Sequence, residues 1–249
     1  RWHYDYMDEG FGFFSSLAAE HNEARQLNSG IDTSTIDNYL LEVDNRVVVP
    51  INTKIRILLT ANDVLHAWWV PELGWKRDAI PGFVNVNWTM ISEPGVYRGQ
   101  CAELCGRDHG YMPIVVEAVT EPEYRTWVAE MQRAQEEAAS GVDREWSMTE
   151  LVERGQSVYQ TACASCHQAN GQGLPPVFPA ITDGPITTGP IEGHIDIVIN
   201  GSAGTAMQAF GEQLNAVDLA AVITYERNAL GNSVGDMVQP AEIQAELAR

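Results

Sequence analysis

The four cysteines fall as two close pairs, Cys101 with Cys105 and Cys163 with Cys166, and each pair has other ligand-type side chains beside it. Residues 100–112 gather two thiols, the His109 imidazole and the Met112 thioether within the reach of one loop between two strands. Soft sulfur donors joined to imidazole suit copper, zinc or iron, whereas calcium and magnesium want oxygen. One more ligand would close such a site. His66 is the best candidate, because Asp63-Val64-Leu65-His66-Ala67-Trp68-Trp69 follows the strand-like run 55–60 in an apolar setting that would exclude water. Alone, a Cys-x3-Cys in an exported protein is more often a disulfide or a zinc loop, and Met112 alone would be a core methionine. His109, Met112 and His66 together turn the balance toward a metal loop for a soft or borderline ion.

The second pair stands in Cys163-Ala164-Ser165-Cys166-His167. Cys-x-x-Cys-His is the attachment signature of c-type haem, with two thioether links to the porphyrin and an imidazole for the iron. A thioredoxin-like pair would need a βαβ setting, and a zinc site would need a second half. Met207, in the glycine-rich stretch 201–211, is the expected sixth ligand, and His194 competes with it. Methionine opposite histidine raises the potential and closes iron to outside ligands, which suits electron transfer.

The pattern Cys-x-Glu-x-Cys-x3-His-x2-Met, with His in an upstream Asp-x-x-His-x-Trp, resembles subunit II of the haem-copper cytochrome c oxidases over most of residues 40–119, including Leu73-Gly74-Trp75-Lys76-Arg77-Asp78-Ala79-Ile80-Pro81-Gly82. The resemblance implies the binuclear CuA centre. Cys101 and Cys105 would bridge two copper ions, His66 and Met112 would complete one, and His109 with the Glu103 backbone carbonyl the other. The Glu103 side chain would face a magnesium ion shared with the catalytic subunit. Residues 147–232 resemble a small cytochrome c, whose first and last helices would cross near Gly155 and Tyr225. In that resemblance Pro175 or Pro176 would accept a bond from His167. Relatives commonly carry Arg after Ile-Pro-Gly, where this chain has Phe83.

The elements that must hold these residues can be read in outline. Ile55, Ile57 and Leu59 alternate with polar neighbours, as do Val84, Val86, Trp88 and Met90, the period of half-buried strands. Residues 41–49 are β-rich, and 95–100 and 113–119 flank the metal loop as two more strands. Short strands at this spacing predict a sandwich, and the resemblance makes it a cupredoxin-like Greek key. Residues 7–38 read as a loop with one short helix near 17–27. Tyr124, Trp127, Val128 and Met131 have helical spacing, and 132–141 is charged and alanine-rich. Ser147 with Glu150 forms a capping-box pattern, and Asn215 caps a helix that Gly231 stops. The expected organisation is an all-β domain over 1–122, a helical linker over 123–146, an all-α cytochrome c domain over 147–232, and a tail over 233–249 without a motif.

With 249 residues, 34 acidic against 15 basic side chains and a formal charge of −19, the chain is an implausible nucleic-acid binder. No window of eighteen apolar residues is present. The run Trp2-His3-Tyr4-Asp5-Tyr6 resembles the point where subunit II leaves the membrane, so a membrane anchor is expected upstream of Arg1, with the chain on the periplasmic face of a bacterial inner membrane. The resemblance as a whole implies a caa-type subunit II. It would take electrons from a soluble cytochrome c or similar donor, through haem c and CuA, to a subunit I that reduces oxygen and pumps protons. The oxygen-reducing site is not on this chain. Retained copper ligands argue for such a donor over quinol. The alternatives are the copper module of a nitric or nitrous oxide reductase, which the Glu103 insertion and the Asp-Ala-Ile-Pro-Gly run disfavour, and a copper-delivery protein, which would need a labile and open site.

Overall fold

The computed structural model describes every residue except Ala206 and Glu212, together with all side chains but those two and Ala138 and Ala139. It divides into two compact units, Arg1–Arg133 and Ala134–Arg249.

The first unit is a β-sandwich of the cupredoxin-like kind. Its strands are β1 (Trp2–Tyr6), β2 (Phe11–Ser15), β3 (Val47–Pro50), β4 (Ile55–Leu59), β5 (His66–Val70), β6 (Trp75–Ala79), β7 (Asn85–Thr89), β8 (Gly95–Cys101) and β9 (Pro113–Val119), with the short helix α1 (Ala19–Ala24) between β2 and β3. A five-stranded sheet runs β3-β9-β8-β5-β6, and the pairs β1-β2 and β4-β7 stand apart from it. β3 lies parallel to β9, whereas β8 is antiparallel to both β9 and β5. Val70, Ile114, Val116 and Ala118 fill the core, and Trp68, Cys101 and Met112 are buried with them, so the metal-type residues grow out of the core itself. β5 and β8 pass so close at Gly99 that a Cβ there would collide with the Trp69 carbonyl, which only glycine allows.

Two parts of this unit differ from the sequence reading. The aromatic start and the glycines after it form a hairpin, β1-β2, whose second strand falls within 7–38, where a loop was expected. Trp2 enters the sandwich core, and the Tyr6 hydroxyl both donates to the Val48 carbonyl (2.8 Å) and accepts from the Val48 N–H (2.9 Å). β7 has the expected period with the opposite facing. Asn85 and Thr89 point inward and are buried, while Val84, Val86, Trp88 and Met90 are 55%, 49%, 54% and 56% exposed. The inward Asn85 is satisfied by donating to the Asp78 carbonyl at 2.8 Å.

Helix α2 (Glu121–Ser140) follows β9 directly. Its early turns bury Tyr124 and Val128 against Phe11 and Val48, with Tyr6, Phe13, Trp127 and Met131 around them.

The second unit is helical, with α3 (Met148–Ala162), the short α4 (Ala164–His167), α5 (Ile191–Asn200), α6 (Ala216–Asn228) and α7 (Pro240–Leu247). Ser147 and Glu150 form the expected capping box on α3, and the Asn215 side chain accepts from the Asp218 N–H at 2.9 Å to start α6. α3 and α6 cross where a Cβ on Gly155 would collide with the Ala221 carbonyl, and the Tyr159 and Tyr225 rings meet beside it at 5.5 Å. Almost all of α6 is buried. Arg227 is held within the unit by Asp236 (2.6 Å) and by the Thr187 and Gly189 carbonyls. The region after Asn232, which carries no motif, forms α7 and buries Ile243 in the helical core.

Candidate metal cage and haem-attachment site

The loop between β8 and β9 is closed at its base by backbone. Cys101 N–H donates to the Met112 carbonyl (3.3 Å), Ala102 N–H to the Ala67 carbonyl of β5 (3.0 Å), and the Trp2 indole to the same Met112 carbonyl (3.2 Å). Cys101 and Met112 therefore start from fixed positions. A single 3-10 turn, His109–Tyr111, then folds His109 back over the loop.

All six residues singled out for metal come together around the two thiols. The Cys101 and Cys105 sulfurs are 3.8 Å apart. Cys101 Sγ lies 3.8 Å from His66 Nδ1 and 3.4 Å from the Glu103 carbonyl oxygen. Cys105 Sγ lies 3.5 Å from His109 Nδ1 and 3.5 Å from Met112 Sδ. A disulfide would hold the sulfurs at about 2 Å, whereas two donors sharing one ion at about 2.3 Å each stand no more than about 4.6 Å apart. The spacing fits shared ions, and the soft donor set fits copper. His66 is prepared for this role: its Nε2 is 2.9 Å from the Asp63 carboxylate, so Nε2–H donates outward and the Nδ1 lone pair faces the thiols. Burial, then the neighbouring Cys101, pushes the Cys105 thiol up to about 11, so metal must displace a proton to bind.

Sequence reasoning missed one residue that grips this loop. Arg25, at the end of α1, donates from Nε to Asn22 (2.8 Å), lies 3.6 Å from the Asp108 carboxylate, and stacks its guanidinium 4.1 Å from the Tyr111 ring centre. Its side chain is only 12% exposed. Nothing in the residue pattern points from position 25 to position 108; the contact exists only once α1 is folded back.

In the helical unit Cys163 ends α3 and begins α4, and His167 ends α4. Neither Cys163 nor Cys166 is in a disulfide. His167 Nδ1 donates to the Pro179 carbonyl at 2.9 Å, not to Pro175 or Pro176. The turn that joins Gly173 N–H to the His167 carbonyl (2.8 Å) and pairs Leu174 with Phe178 carries the chain past both prolines before a carbonyl faces the ring. This bond leaves Nε2 for iron, and exposed Leu174, Val177 and Ile186 follow in the same segment, a composition that fits the apolar face of a porphyrin. Met207 is half-buried against the helical core, with its N–H on Thr205 Oγ1 (3.1 Å) and its carbonyl accepting from Ser202 N–H (3.0 Å). His194 is buried inside the unit, with Nε2 taken by Glu226 at 2.8 Å.

Residues 1–119 match the family model described as cytochrome c oxidase subunit II, periplasmic domain, and residues 150–225 match that of cytochrome c oxidase, cbb3-type, subunit III. The chain is 45% identical over 129 residues to the probable cytochrome c oxidase subunit 2 of Rickettsia prowazekii, covering 51% of this chain and 38% of that protein. It is 47% identical over 135 residues to the mitochondrial subunit 2 of Vigna unguiculata, covering 51% and 33%. The crystal structure of the periplasmic domain of subunit II of cytochrome oxidase from Bradyrhizobium japonicum is 38% identical, covering 53% of this chain and 86% of that one, with a TM-score of 0.46. The chain thus spans about a third to a half of the length of the curated relatives it matches. The two motif-bearing units are thus matched in order, residues 1–119 as similar to the periplasmic domain of cytochrome c oxidase subunit II and residues 150–225 as similar to subunit III of the cbb3-type oxidase.

Proposed function

We propose that this chain is the electron-carrying subunit of a caa-type oxidase, receiving electrons from a soluble cytochrome c or similar donor and delivering them to the oxygen-reducing, proton-pumping subunit I. The copper pair and the haem c supply the one-electron chemistry when bound. The observation that carries the reading is the convergence of His66, the Glu103 carbonyl, His109 and Met112 on two thiols 3.8 Å apart. Cys101 and Cys105 would bridge the two coppers. His66 with Met112 would serve one, and His109 with the Glu103 carbonyl the other. Every donor around the thiols is then used, so no position remains for a substrate, and a backbone-bonded loop resists rearrangement when charge changes. Cys163 and Cys166 would hold the haem, His167 and Met207 would bind its iron, and the Glu103 carboxylate would face magnesium at the border with subunit I. The working divisions are 1–122 for the copper domain, 123–146 for the linker, 147–232 for the cytochrome domain and 233–249 for the tail. No described helix is long and apolar enough to cross a membrane, and the chain would work on the periplasmic face of a bacterial inner membrane.

Metal analysis with absorption and spin-resonance spectra of the loaded chain tests this. The expected result is two coppers with a multi-line signal near g of about 2 over a low-spin c haem. Met207→Ala should open the iron to carbon monoxide and leave the copper bands alone. One metal ion per chain at the cage, or a covalent Cys101–Cys105 bond in the loaded protein, overturns the assignment.

A further inference from the structure

The inverted facing of β7 is the strongest feature of the molecule that electron transfer leaves unexplained. A strand on a sandwich ordinarily turns its apolar row inward, since a one-residue shift moves every side chain to the other face. Here the buried positions are the polar Asn85 and Thr89, and the row Val84, Val86, Trp88, Met90 faces out. β4 extends that face. Leu58 pairs with Val86 and Arg56 with Trp88, and both β4 residues are exposed. Lys54 Nζ stands 4.4 Å from the centre of the Trp88 ring. The result is an apolar strip with Trp88 at its middle and two cations on its margin.

The charges around the strip select its occupant. In this acid-rich chain the arginines elsewhere are mostly ion-paired, as Arg46 and Arg98 are with Glu42 and Arg227 is with Asp236. Among the described residues, Lys54 and Arg56 have no carboxylate within 4.0 Å. Two cations without counter-charges beside an exposed tryptophan strip have the composition of an interface, where aromatic and Arg side chains concentrate the binding energy.

We infer that the outer face of β4-β7 is a docking surface for a second protein whose contact patch is apolar at the centre and rimmed with Asp and Glu. A second copy of this chain would set these cations against each other across a two-fold axis. An anionic bilayer would repel a chain carrying −19 as a whole, whereas a local acidic rim meets only this face. The inference is independent of the redox reading, because a chain loading neither copper nor haem presents the same face.

The test places a photoreactive benzoylphenylalanine at Val86 of the full chain, in cells that assemble it with its native partners. Irradiation should give one adduct with a different polypeptide, through a peptide carrying Asp or Glu. Its yield should fall at least tenfold in the combined Lys54→Glu, Arg56→Glu variant and should be absent with the same probe at exposed Met7. Unchanged melting of each variant shows that the fold is kept. No adduct, an adduct with lipid or with a second copy of the chain, or a yield indifferent to charge reversal overturns the proposal.

Discussion

In the sandwich unit five of the metal-type residues belong to a short loop whose two ends are bonded to each other and to β5, and His66 stands on β5 itself, so six donor residues meet before any ion is considered. In the helical unit the residues proposed for iron lie far apart in the sequence, His167 at the end of one short helix and Met207 in a loop held by its own turns. The first arrangement is made by the sheet. The second, as proposed, would be completed by the haem held between its parts. A site assembled by secondary structure should therefore survive loss of its metal, and a site assembled around a prosthetic group should not.

The sharpest way to break this contrast is to empty each site in turn. Cys163→Ala with Cys166→Ala should abolish covalent haem and cost the helical unit its cooperative melting, followed by circular dichroism. Cys101→Ser should abolish the multi-line copper signal while the sandwich still melts cooperatively. If both units lose cooperative melting, or neither does, the contrast fails. A smaller effect tests the helical crossing without touching the cofactor residues. Gly155→Ala places a methyl against the Ala221 carbonyl and should cost about 3 kcal/mol of stability, at the upper end of overpacking costs, in denaturant unfolding of that unit.

Arg25→Ala should leave the spectrum of the copper site recognisable, yet release copper to a chelator several-fold faster and shift its potential. Arg25→Lys should restore only part, since lysine keeps the charge facing Asp108 but not the planar stack on Tyr111. An unchanged release rate and potential would remove α1 from the account of the cage. The smallest effect concerns pH. Glu150 is held down at about 2 by the Ser147 hydroxyl and N–H, with Arg144 adding to them. A carboxylate lowered in the folded state stabilises above its ordinary value and loses that contribution as pH falls through the lowered one. Glu150→Gln should thus show a modest melting deficit at pH 7 that closes as pH approaches 2; a deficit constant with pH would separate the cap from its charge.

What could be read from the sequence, and what could not, follows the distance over which each contact acts. The cage was legible because Cys101, Cys105, His109 and Met112 share one loop, and because 95–100 and 113–119 read as strands on either side of it. Helix caps such as Ser147 with Glu150 were legible for the same reason: both partners lie within one turn. The facing of β7 was not, since a period of two identifies a strand but is silent on which side holds the core. The hairpin at Trp2–Ser15 was hidden by Gly10 and Gly12, which read as breakers, although Gly10 supplies a turn at φ +77. Arg25 on Asp108 and the Pro179 carbonyl on His167 depend on how a polar excursion or a proline-rich turn folds back, which residue types alone do not encode.

The Tyr6 hydroxyl on Val48 has a consequence outside electron transfer. β3 ends its sheet, and a strand in that place normally offers a free donor and acceptor to any passing extended polypeptide. One phenol occupies both groups of Val48 at once, so a foreign chain seeking to lengthen the sheet finds that register already sealed. The hairpin that supplies it thus guards this unit against fibrillar self-association.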